Sequence, residues 1–380
     1  MLQSFIAAQA IVHRPQGAES GPGLDLMSSN KTSRRVTLSD IAQLSGVHPC
    51  TVSAVLAGKS KERRISKDVT TRVLAAAAEM DFAPNLTAHS LQQGHTHVLS
   101  FFNGFRNRDW RDAYMDGLLA AVERAGGRLG YDILVSCDFR RSEAETYRAL
   151  NGGRSDGLLF FAPQVGDPLL PYLRKSSLPI VLMSGVDEDG ALSSVTGDVD
   201  GGTRQIAQNL VALGHRRVAA LTMCGPHPDA HKRVALLRAR LAEAGVHLPE
   251  AWVLPVDGKR PLECAAALRS LMDGPSPPTA LFCWHDHLGY VMLEQCAALG
   301  IAVPEQLSLV GYDGLPWPAK TSHALASVEV DLDAMGEAAV EMLHRLISHQ
   351  SPPPIERVMP ATFNRGTTLG PAYLKASRSC

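Results

Sequence analysis

The chain is 380 residues long, 45% apolar and 20% charged, with a formal net charge of −1. That is long enough for two or three domains with a sizeable core, and too apolar for disorder throughout. No apolar run approaches the ~20 residues needed to cross a bilayer, and seven scattered cysteines without a CxxC pair point to reduced thiols rather than a disulfide framework or a close-paired zinc site.

The small net charge hides a segregation. Residues 31–97 hold nine Lys/Arg against five Asp/Glu, whereas residues 98–380 hold 27 against 31. A basic module on a mildly acidic body suits a phosphate-binding head, and equally a solvated basic face. Residues 1–33 read as a disordered leader. Their opening "MLQSFIAAQAIV" loosely resembles a secretory signal, but it lacks a basic start and is interrupted by Gln3, Ser4 and Gln9. Met27 is a candidate start within it.

Residues 34–82 read as three short helices. Thr37 with Asp40 three positions on makes a helix N-cap, and Leu38, Ile41 and Ala42 share one face. Gly46 supplies a tight turn. Pro49 suits the first turn of a second helix, with Val52, Val55 and Leu56 inward and Cys50, Thr51, Ser53 and Ala54 outward. A third helix is expected from Ser66 until Pro84 stops it, with the stripe Val69, Val73, Ala76, Ala77, Met80 on its buried face. Such a trio is either a helix-turn-helix, its second helix slim enough for a major groove about 12 Å wide, or a plain three-helix corner. Then comes "FAPNLTAHSLQQGHTH", in which Asn85 caps a helix running to Leu91 that is too short to be stable alone.

With "VTLSDIAQLSGVHPCTVSAVL" and "APNLTAHSL" in this order and spacing, the chain resembles the LacI-type family of bacterial transcription regulators. The resemblance runs over roughly residues 36–368. It implies a second helix that reads the major groove, and a hinge (residues 83–96) that pairs with that of a second copy in the minor groove of a near-palindromic operator. Leu91 then wedges into the central base step, Ala88 meets its dimer mate and Asn85 approaches a phosphate or base edge. Thr51 and Ser53 fall on positions that contact phosphate and base, while Thr37 and Ser66 cap the first and third helices toward the backbone. His48, Cys50 and Ala54 occupy the reading face but depart from the family pattern. Serine is common where His48 stands, and arginine where Ala54 stands, so the bidentate guanine reader is missing. The basic run at residues 61–64, "KERR", lengthens the following loop and offers phosphate contacts.

From His97 onward, apolar runs alternate with amphipathic segments. "HVLSFF", "YDILVS", "DGLLFF" and "PIVLM" form one series of strands, and "RVAALT", "TALFC" and "LSLVGYD" a second. Repeated βα units imply parallel sheets covered on both faces, here as two doubly wound lobes with any ligand at the strand carboxyl ends. The resemblance sharpens this α/β fold to a two-lobed, periplasmic-binding-protein-like body over residues 97–368, with a tail at 369–380. It rests on "GDVDGGTRQIAQNLVALGHRRVAAL", on "PTALFCWHDHLGYVMLEQCAALGIAVPEQLSLVGYDGLPW" and on the closing "ATFNRGTT".

By the same resemblance Arg233 is the cleft arginine, suited to vicinal hydroxyls or a carboxylate. His285, with Asp286 beside it, stands where the family carries Asn, and Asp313 is the second-lobe carboxylate. Trp110 and Tyr114 sit where an aromatic platform would lie, or simply pack. "HDH" at 285–287 is not a metal motif, because on a helix its histidines point about 200° apart. The chain carries no GxSxG, P-loop or GxGxxG at a strand–helix junction, so neither catalysis nor a cofactor is implied. The resemblance implies a homodimeric regulator in the cytoplasm, probed by a small effector such as a sugar, with duplex DNA and no membrane as partner. A transport solute-binding protein shares the body fold but needs an export signal and no DNA head.

Overall fold

The computed structural model describes residues 36–83, 94–104, 112–136, 141–224, 228–316, 322–349 and 354–372. The leader, the hinge residues Asn85, Ala88 and Leu91, and Trp110 lie outside them. The chain divides into two compact units, Met1–Asn85 and Leu86–Cys380.

In the first unit, α1 (Leu38–Ser45), α2 (Pro49–Leu56) and α3 (Lys67–Glu79) enclose a core of Ile41, Ala42, Val52, Val55, Val73, Ala76 and Ala77. Thr37 and Asp40 form a full capping box: the Thr37 hydroxyl accepts from the Asp40 amide, and the Asp40 carboxylate accepts from the Thr37 amide at 2.8 Å. Gly46 ends α1 in the left-handed region at φ 68°. Two details differ from the sequence reading. Leu38 is 36% exposed at the rim of the core, not on its buried face. The third helix stops at Glu79 rather than at Pro84, because Asp81 takes a left-handed turn at φ 46°.

The second unit carries two lobes. Lobe one is a six-stranded parallel sheet in the order β11-β5-β4-β3-β1-β2. The strands are β1 (Val98–Asn103), β2 (Asp132–Ser136), β3 (Gly157–Phe161), β4 (Ile180–Met183), β5 (Ser193–Gly197) and β11 (Glu356–Met359). α4 (Ala113–Arg128) and α11 (Leu332–Ile347) pack together on one face, and α5 (Glu143–Leu150) with the single turn α6 (Leu170–Leu173) covers the other. Asp156 fastens the start of this lobe, its carboxylate accepting from the Thr96 amide and hydroxyl and from the His97 amide at 2.6–2.8 Å.

Lobe two holds β6 (Val218–Thr222), β7 (Val253–Pro255), β8 (Ala280–Cys283) and β9 (Ser308–Val310), parallel in the order β7-β6-β8-β9. Its helices are α7 (Val199–Ala212), α8 (Pro228–Glu243), α9 (Pro261–Met272) and α10 (Asp286–Leu299). An antiparallel pair, β10 (Ser327–Val330) with β12 (Ala361–Asn364), completes it.

The lobes are not consecutive in sequence. The chain passes between them at Asp198, at Asp331 and at Pro360, each a single residue between two elements. The aspartates cap the helices that follow, and the Asp198 amide donates to the Met359 carbonyl at 2.8 Å, tying two passages together. Close packing here needs Gly202, where a Cβ would lie 2.5 Å from the Tyr312 hydroxyl. The packed body also extends beyond the boundary expected at Thr368. Leu369 is buried, and the Gly370 carbonyl accepts from His215 Nε2 at 3.0 Å. A carbonyl can only accept, so Nε2 carries the proton and Nδ1 takes that of the Thr279 hydroxyl. Burial lowers the His215 pKa and favours this neutral form.

Candidate nucleic-acid interface and ligand cleft

α2 turns Val52 and Val55 into the head core and leaves Cys50 exposed, with Thr51, Ser53 and Ala54 half-buried. Small side chains on one side of a helix leave its backbone free to approach a groove floor. His48 does not lie on this helix. It is the N-cap, and its Nδ1 accepts from the Cys50 amide at 3.3 Å. Ser66 likewise caps α3. Between α2 and α3 the loop presents Lys59, Lys61, Arg63 and Arg64 to solvent, while Ile65 anchors its far end against the core. A groove-sized face beside a basic loop can place neutral polar groups at base edges and cations at phosphates.

The second unit has a cleft between its lobes, divided into cavities of about 380 Å³ and 440 Å³. Tyr114, Ser184, Asp229, Arg233 and Asp313 line both. Arg233, on α8, is nearly buried. Its Nη2 meets Asp313 at 3.0 Å, Nη1 donates to the Trp284 carbonyl at 2.7 Å, and its plane lies 3.9 Å over the Tyr312 ring. Its Nε is buried without a partner. Burial opposes the charge, but Asp313 and then Asp229 outweigh it and hold the guanidinium protonated. Asp313 is pushed up to about 6 by burial, with Arg233 pulling the other way. From lobe one, the Tyr114 hydroxyl lies 3.1 Å from Ser184 Oγ and its ring stacks on Phe161. Burial raises its pKa, so the hydroxyl stays protonated.

Four of the six residues expected at the ligand site line the cleft: Tyr114, Arg233, His285 and Asp313. Asp286 lines neither cavity. It is buried in lobe two, where its carboxyl accepts from the Leu315 amide and the Ser327 hydroxyl, both at 2.6 Å. Burial and the neighbouring Asp313 raise its pKa strongly, and its two accepted hydrogen bonds make it a structural clasp. The reason is a change of backbone between neighbours: His285 is the extended N-cap, so it faces the cleft while Asp286 turns inward with the helix. The same cap changes the geometry of "HDH". His285 and His287 stack with centroids 5.7 Å apart, because only His287 has helical geometry. No group of three His, Cys, Asp or Glu side chains among the described residues could hold a metal ion.

Asp229, Trp284, Phe161 and Ser184 were missed at the sequence level. Asp229 had a usable signal, since it precedes Arg233 by one helical turn and so shares its face. The described cysteines are free thiols, and Cys264, Cys283 and Cys296 are buried, which pushes their pKa values up and makes them unreactive.

Residues 37–85 match the family model for bacterial regulatory proteins of the lacI family, and residues 207–368 match that for the periplasmic binding protein-like domain. The chain belongs to the LacI family. Among curated relatives, the HTH-type transcriptional repressor PurR of Escherichia coli is 27% identical over 334 residues, 87% of this chain and 96% of the relative. PurR of Shigella sonnei is 27% identical over 337 residues with the same coverage. Among solved structures, a transcriptional regulator CelR–cellobiose complex is 26% identical with a TM-score of 0.65, covering 88% of this chain and all of the other. A lac repressor dimer bound to operator and the anti-inducer ONPF has a TM-score of 0.76 at 21% identity, with 88% and 99% covered, and shares the fold. As a LacI-family member the chain is a DNA-binding transcriptional regulator and not an enzyme.

Proposed function

We propose that this LacI-family regulator is a homodimeric repressor whose operator affinity is set by a sugar held in the interlobe cleft. The observation that carries this reading is the combination in one chain of a slim, small-faced α2 with an interlobe cleft lined by the buried Arg233–Asp313 pair. In this reading Thr51 and Ser53 reach phosphates and base edges in the major groove, with Cys50 and Ala54 forming the rest of the face. Thr37, His48 and Ser66 hold helix starts against the backbone. The loop at residues 59–64 adds phosphate contacts in place of a guanine-reading arginine. Asn85, Ala88 and Leu91 serve in the minor groove, Leu91 as the wedge. Such a regulator works at chromosomal DNA in the cytoplasm.

In the cleft, Asp313 accepts from sugar hydroxyls, Arg233 supplies the facing donor, and Tyr114 and Trp284 offer flat apolar surface. The three single-residue passages let one lobe close on the other. A ligand bound to both lobes then favours the closed body and shifts operator affinity by about 1–3 kcal/mol. The solved CelR complex holds cellobiose and the lac repressor complex an anti-inducer, which supports a small-molecule ligand for this chain.

Selection of binding sites from random duplex DNA, with the dimer at fixed salt, tests the first half of the reading. The expected product is a palindrome with a central CG step. Absence of enrichment by a folded dimer, with and without sugars, overturns it.

A further inference from the structure

The charges facing the cleft do not balance around Arg233. Two carboxylates, Asp313 and Asp229, act on this one guanidinium, and both favour its charge. Asp313 is answered directly at 3.0 Å. Asp229 is half-buried in the first turn of α8 and has no hydrogen bond or ion pair within 4 Å among the described residues. Its field nevertheless reaches Tyr114 on the opposite lobe as well as Tyr312. Other charges of the first cavity are engaged. Asp257 meets Arg260, and neither Asp112 nor Lys259 is free.

An anionic ligand is therefore badly matched. Arg233 has already given Nη1 to the Trp284 carbonyl and Nη2 to Asp313, so a phosphate or carboxylate in the first cavity would meet two carboxylates, while the exposed Lys232 lines only the second. A cation matches Asp229. A second and independent demand comes from Arg233 Nε, a donor on a side chain only 7% exposed that lines the cleft and has no acceptor. The fitting ligand thus carries an ammonium group near an oxygen acceptor, on a ring whose C–H face can lie against Trp284 or Phe161.

We infer that the cleft takes a hydroxylated ligand bearing a protonated amine, an amino sugar being the simplest form, with its ammonium group paired to Asp229 and an oxygen on Arg233 Nε. This rests on the reading of the cleft as the effector site.

The test is calorimetric titration of the full-length protein with D-glucosamine, D-galactosamine and D-mannosamine, each against its neutral parent hexose. We expect at least one amine to bind about tenfold more tightly than its parent. In Asp229→Asn, checked by its melting curve to be folded, that ratio falls to near one. A parent that binds as tightly as its amine overturns the inference while leaving the sugar reading intact. An amine preference that survives in Asp229→Asn overturns the assignment of Asp229. If neither amines nor parents bind, the inference and the sugar reading fail together.

Discussion

The head and the cleft are built over very different distances along the chain. Everything that shapes the outer face of α2 lies within residues 36–83: the caps Thr37, His48 and Ser66, the turn at Gly46, and a core of seven small or medium apolar side chains. The cleft instead gathers Tyr114, Ser184, Arg233, Trp284 and Asp313 from two lobes whose chain crosses back and forth. The head can therefore fail locally and leave the cleft intact. The cleft depends on buried charge, where one missing partner strands another.

The sharpest way to break that contrast is Arg233→Ala. It strands the Asp313 carboxylate, and the body should lose about 3–5 kcal/mol in denaturant unfolding. A loss below about 1 kcal/mol would mean that the pair is solvated and the cleft no more demanding than a surface. Next, Ile41→Ala opens a void in a core too small to absorb it. The head should lose about 2–5 kcal/mol and operator binding should vanish, while ligand binding by the body persists. Loss of ligand binding as well would show that the two units do not fold independently.

The pH dependence sharpens the electrostatic side. Asp313 sits at about 6, against about 3.9 for an unfolded aspartate. Below both values it is protonated in either state and its contribution to stability is fully present. As pH rises toward 6 the unfolded chain ionises first, so that contribution falls, by on the order of 3 kcal/mol. The stability of wild type minus that of Asp313→Asn should fall over this window and level off above it, as followed by urea midpoints. A rise in wild-type stability relative to the variant over the same window would mean that Arg233 outweighs burial.

Smaller effects mark the local end of the comparison. Thr37→Ala removes one half of the capping box and should cost the head about 1 kcal/mol, visible as a lower melting temperature. Arg124→Ala breaks a pair with Asp333 whose partners are 53% and 74% exposed, and unfolding should register less than about 1 kcal/mol. A large effect there would place that pair in a network not evident from its exposure.

Local chemistry was legible in the residues because its causes sit within a turn or two of the chain. A threonine before an amphipathic run, a proline at a first turn and a glycine where φ must be positive set helix bounds in the head. Runs such as "GLLFF" and "ALFC", buried on both faces, announced parallel strands without any alternation to read. Even here the reading was imperfect: Leu38 and the end of α3 depended on how the three helices met.

What the residues could not convey was which distant groups share a space. That β11 and α11 return to lobe one, that Asp286 turns inward while its neighbour His285 faces the cleft, and that Asp229 faces the cleft with no ion pair among the described residues all depend on the lobes being assembled. Helix caps and apolar periodicity act through near neighbours and are written in the sequence. Burial of charge is a property of everything packed around it, so only the tertiary structure could decide it.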